Sequence, residues 1–86
     1  MRKFLLQGIW LREKRAETGI SVREVAAEVG VSTKIIKLIE QGRNRITAAR
    51  VQDFARGYGM GKKDMEILID EMIEDYKRSI TSEISD

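Results

Sequence analysis

The sequence predicts an all-α protein of about five short helices. Between Ile20 and Gly42 lie two helical segments, each opened by a capping Ser and followed by Gly. Apolar residues then recur at helical spacing, at Val51, Phe54 and Ala55 and again from Met65 to Ile80. Between those two stripes, Gly57-Tyr58-Gly59-Met60-Gly61 ends one helix before the next begins.

Met1 to Gly19 reads as the first helix, with Phe4, Leu5, Ile9, Trp10 and Leu11 on one broad side. Gly8 weakens its middle by about 1 kcal/mol relative to Ala. Trp10, the single Trp, is expected as a core anchor. Phe4 and Leu5 are expected to pack on the final helix or on a partner subunit. Ser21 caps the second helix, Val22 to Val29, and Glu24 completes an S-x-x-E capping box. Val25, Ala26 and Val29 form its buried side. Gly30 stops it, Val31 plugs the corner, and Ser32 caps a third helix from Thr33 to Gln41 that Gly42 ends. Two capped helices joined by a Gly turn make a helix-turn-helix.

The third helix carries the chemistry. Ile36 and Ile39 face inward, which leaves Thr33, Lys34, Lys37 and Leu38 outward and Ile35 on the flank. The outward side has two Lys and no acid, as a phosphate-lined groove requires; Glu40, the one acid of the helix, sits at its far end. Thr47 is expected to cap a fourth helix, Ala48 to Tyr58, with Val51, Phe54 and Ala55 toward the core. Arg50 and Arg56 are read as surface residues, Arg50 within reach of a phosphate. The last helix runs about 63–79, roughly 24 Å at 1.5 Å per residue. Its apolar stripe is Met65, Leu68, Ile69, Met72, Ile73, Tyr76 and Ile80; its opposite side, Glu66, Asp70, Glu71, Glu74 and Asp75, is acidic and so expected to turn away from any polyanion. The stripe is longer than one small domain needs. Its outer part, Ile69, Met72, Ile73 and Tyr76, is the expected homodimer face; the competing reading packs all of it on the first and fourth helices. Residues 1–80 are read as one domain and 81–86 as a frayed tail.

The net charge of +2 hides an asymmetry: residues 1–60 hold 12 Lys and Arg against 6 Asp and Glu, residues 61–86 hold 4 against 8. A basic front and an acidic back suit a body that presents one face to an anion. Cys and His are absent, which excludes disulfides, thiolate metal sites and Cys or His nucleophiles. No enzyme activity, metal, cofactor or small-molecule ligand is expected. No apolar run approaches a membrane span, and the basic-apolar start Met1 to Leu6 is broken too early for a signal peptide, so a cytoplasmic protein is expected.

From Leu11 to Met60 the chain resembles the XRE family, the phage Cro and lambda-repressor-like helix-turn-helix domains. The resemblance rests on Leu11-Arg12 with Arg15, Gly19-Ile20-Ser21, Val25-Ala26, Gly30-Val31-Ser32, Ile36, Ile39-Glu40 and Gly42-Arg43, in order and without gaps. It implies a compact five-helix fold whose third helix enters the major groove of double-stranded DNA. It further implies that Arg15 pairs with Glu40, that Met60 inserts into the core, and that the loop Gly42 to Arg45 runs beside the phosphate backbone. Where the family often holds a phosphate with Gln, after the cap Ser, this chain has Val22; Arg23 or the Ser21 hydroxyl is then expected to take that role.

The expected function is a sequence-specific transcriptional regulator, foremost a phage- or plasmid-type repressor binding an inverted repeat as a homodimer. Alternatives are a restriction–modification controller protein, an antitoxin-type autoregulator or, from another class, a protein-interaction adaptor or anti-repressor. Thr33, Lys34 and Lys37 are expected at base edges, with Leu38 and Ile35 at thymine methyls. Ser21, Arg23, Ser32, Gln41, Arg43, Asn44 and Arg45 are the expected phosphate ligands.

Overall fold

The computed structural model describes residues 3–84, with side chains through residue 80. Five helices follow one another: α1 Leu5–Thr18, α2 Val22–Val29, α3 Thr33–Glu40, α4 Val51–Gly57 and α5 Lys62–Ile84. A 3₁₀ turn, Ala48–Arg50, leads into α4. α1 packs on α3 and α5, and α2 packs on α3 and α4. No helix among the described residues is long and apolar enough to cross a membrane.

The core sits where these four packings meet. Leu11 of α1, Val25 and Val29 of α2, Ile36 and Ile39 of α3, Phe54 of α4 and Leu68 of α5 are all buried, with Ile46 and Tyr58 from the connections. The inward sides expected for α2, α3 and α4 are the observed ones.

Three helices depart from the sequence expectations. In α1 the buried positions are Gln7, Gly8 and Leu11, while Ile9 is exposed and Trp10, Phe4 and Leu5 are half-buried. The reason is Gly8: its bare Cα admits the backbone at the end of α3, which turns the Gln7–Leu11 side inward. The fourth helix starts three residues late, because Ala48–Arg50 wind as 3₁₀, and the Thr47 side chain makes no capping bond. At its end Tyr58 is buried and Met60, expected inside, is only half-buried.

Arg50 is not a free surface cation. It pairs with Asp53 at 2.9 Å and donates to the Val29 carbonyl at 3.0 Å, closing the C-terminus of α2. Finally, α5 is 23 residues long, about 35 Å, and its helix runs through Ile84, where fraying from Thr81 was expected. Ser85 and Asp86 of that expected tail, and Met1 and Arg2 of the expected first helix, lie outside the described residues.

Candidate nucleic-acid interface

The helix-turn-helix is built by local chemistry. Ser21 Oγ accepts from Glu24 N at 3.1 Å and Glu24 Oε1 accepts from Ser21 N at 3.4 Å, the two halves of a capping box. Gly30 closes α2 at φ +86°, and Ser32 Oγ then accepts from Ile35 N at 3.3 Å to open α3. α3 ends in a Schellman turn: Arg43 N donates to Leu38 O at 2.9 Å and Gly42 N to Ile39 O at 3.0 Å, with Gly42 at φ +78°. These two closures fix where α3 starts and where the chain leaves it.

Ile36 and Ile39 anchor the inner side of α3. Thr33, Lys34 and Lys37 are exposed, as are Ser21, Arg23, Ser32, Gln41, Arg43 and Arg45. Ile35 is half-buried against the core, Leu38 is half-buried, and Asn44 is half-buried with its carbonyl already bonded. The exposed residues from Ser32 to Arg45 therefore lie on the outer side of α3 and at its two ends, and Ser21 and Arg23 lie at the start of α2.

Glu40 does not join them. It is 7% exposed and receives three groups. Arg15 donates from Nε at 2.9 Å to Oε2 and from Nη2 at 3.1 Å to Oε1, and the Tyr58 hydroxyl donates to Oε2 at 2.7 Å. Arg15 Nη1 also holds the Ile20 carbonyl at 3.3 Å, so one guanidinium ties the end of α3 to the segment entering α2. The only acid of α3 is thereby withdrawn from the outer face.

Burial, and then the Glu40 carboxylate beside it, push the Tyr58 pKa well above its ordinary 10.0. An acid whose pKa is higher folded than unfolded stabilises the fold fully below the unfolded pKa and loses that contribution as pH rises above it. Stability should therefore fall from about pH 10 upward. Tyr58→Phe should remove that part of the fall, which chemical denaturation of both proteins at stepped alkaline pH would resolve. An identical alkaline slope in the two would contradict the assignment.

Sequence reasoning missed Gln7, Tyr58 and Asp75. Gln7 is 1% exposed; its Nε2 donates to Asn44 O at 3.1 Å and its Oε1 accepts from Ile46 N at 3.2 Å. Asp75, expected on the acidic outer side of the last helix, is instead 3% exposed and caps α1. Its two carboxylate oxygens accept from Leu6 N at 3.0 Å and Gln7 N at 2.9 Å. The available signal was register: Gln7 lies four residues before Leu11, and Asp75 seven after Leu68. Their polarity masked it.

Next to the side of α5 that carries Leu68 and Asp75, apolar residues are left uncovered. Ile69, Ile73 and Tyr76 are exposed and Met72 is half-buried. With Ala48, Val51 and Met65 they line a groove of about 490 Å³ between α5 and the start of α4.

A family model described as a helix-turn-helix domain matches residues 8–68. Among solved structures, the restriction-modification controller protein C.AhdI from Aeromonas hydrophila superposes with a TM-score of 0.66 at 18% identity. That match covers 76% of this chain and 98% of the controller protein. The clp gene regulator ClgR from C. glutamicum superposes with a TM-score of 0.68 at 25% identity, over 81% of this chain and 91% of that one. No curated protein sequence matches the chain significantly.

Proposed function

Because the chain belongs to the helix-turn-helix domain family, whose fold is that of DNA-binding regulators, we propose that it is a sequence-specific, double-stranded DNA-binding repressor of phage or plasmid type. It acts in the cytoplasm as a homodimer on an inverted repeat. The observation that carries this reading is the cationic outer side of α3: Thr33, Lys34 and Lys37 are exposed, while Glu40 is held inside by Arg15 and Tyr58. α3 lies in the major groove with Thr33 and Lys34 at base edges and Lys37 behind them. Ser21, Arg23, Ser32, Gln41, Arg43 and Arg45 contact phosphates. Asn44 contributes little, its side chain being half-buried, and Ile35 and Leu38 reach thymine methyls only with the exposed part of their side chains. The uncovered groove on α5, with Ile69, Met72, Ile73 and Tyr76, receives the second copy.

A second reading, a restriction–modification controller protein, is favoured by the match that spans nearly all of C.AhdI. Both readings share one mechanism and one test. Duplexes selected by the protein from a random library should carry an inverted repeat, its half-sites about one turn (34–36 Å) apart. Binding to the selected duplex should weaken steeply with salt. Two Lys–base contacts at the low end of the usual range, about 1 kcal/mol each, make the Lys34→Ala, Lys37→Ala variant about thirtyfold weaker. A library that yields no repeat, with weak binding that ignores both substitutions, would overturn DNA reading and leave an adaptor that uses α5 for a protein partner.

A further inference from the structure

We propose that Gln7 is a positioning residue for DNA binding: it holds the loop that carries Arg43 and Arg45 against the first turn of α1. The inference rests on the phosphate role given to that loop above. Three hydrogen bonds join the loop backbone to α1 and its N-cap residue Phe4. Phe4 N donates to Gly42 O at 3.2 Å, Gln7 Nε2 donates to Asn44 O at 3.1 Å, and Ile46 N donates to Gln7 Oε1 at 3.2 Å. Two of the three belong to the Gln7 side chain. An amide offers a donor and an acceptor side by side, so one side chain satisfies a carbonyl and an N–H two residues apart in the loop.

The anchor is itself held from behind. Asp75 accepts from the backbone N–H of both Leu6 and Gln7, so the turn that grips the loop is pinned to α5. Gln7 and Asp75 are both buried, and the bonds from Ile46 N to Gln7 and from Gln7 N to Asp75 are shielded from competing water. Arg43 and Arg45 are exposed, and their side chains are long. Fixing the backbone beneath them reduces what must be ordered when they meet phosphates. A buried amide that served stability alone would have no reason to be coupled to those two arginines, and this separates the two roles.

Gln7→Met keeps the length and burial of the side chain but removes both loop bonds. The probe is a short random-sequence duplex, since phosphate contacts are independent of sequence. The substitution is expected to weaken binding about tenfold and to lower the salt slope by about 1. In an Arg43→Ala, Arg45→Ala background the same substitution should cost less than about twofold, the non-additivity expected of residues acting through one element. An equal loss in both backgrounds, or no loss in either, overturns the proposal. A wild type that binds no duplex, or an arginine double variant with an unchanged salt slope, overturns instead the DNA role of the loop. Amide exchange in the wild type gives a readout that does not depend on the variant folding. The Ile46 amide should exchange as slowly as those in the middle of α1, and exchange at the rate of an open loop would also overturn the proposal.

Discussion

Glu40→Ala is expected to cost about 3 kcal/mol and lower the melting temperature by about 15 °C. The carboxylate is the meeting point of Arg15 and the Tyr58 hydroxyl. Its removal leaves a hydroxyl with no solvent exposure unpaired and a guanidinium half-enclosed without its counter-charge. Arg15 retains some access to water, which holds the loss near the lower end of the range for breaking a buried pair. Glu40→Gln, which keeps an acceptor for Tyr58 but not the charge, should fall between the two. Thermal melts of the three proteins would order them. An Ala variant that melts like the wild type and merely binds DNA more tightly would show that Glu40 acts as an acid near the duplex and not as a strut.

The second large effect reverses what helix propensity predicts. Gly8 lies inside α1, where Ala is worth about 1 kcal/mol more than Gly, so propensity alone makes Gly8→Ala stabilising. A Cβ at Gly8, however, would lie 2.7 Å from the Glu40 carbonyl oxygen and 2.8 Å from both Gly42 N and the Ile39 carbonyl oxygen. All three are backbone atoms and cannot rotate away. α1 must then lift from the end of α3, disturbing the Arg15–Glu40 contact and the loop bonds of Gln7 together. An overpacking cost of about 3 kcal/mol, less the propensity gain of about 1 kcal/mol, gives an expected net destabilisation of about 2 kcal/mol, measured by urea denaturation. Gly61→Ala, where a Cβ meets nothing within 4 Å, is the control and should be close to neutral. A Gly8→Ala protein as stable as the wild type would mean that the two helices do not pack this closely.

Both effects arise at the junction between α1 and the end of α3, and that junction was only partly legible. Its Arg15–Glu40 contact was implied by a family resemblance, not by spacing, since 25 residues separate the pair. Its closest approach, at Gly8, looked like a weak point in a helix. The misreading of α1 followed: five apolar residues seemed to define a core side, yet Ile9 points outward and Gln7 inward. Which side of a helix is buried depends on what its neighbour can fit, and only glycine lets a backbone come this near.

The sequence by itself determined the helix-turn-helix. The Ser21 and Ser32 caps, the closures at Gly30 and Gly42, and the inward Ile36 and Ile39 all depend on residues within a turn or two of one another. Hydrogen-bond chemistry and helical period act at that range. Tertiary structure alone decided the roles of Gln7, Tyr58, Arg50 and Asp75. Apart from the local Arg50–Asp53 pair, their partners lie 18 to 69 residues away. A polar side chain is stable in a core only where a distant backbone or carboxylate completes its hydrogen bonds, and no local pattern records where the fold will bring that partner.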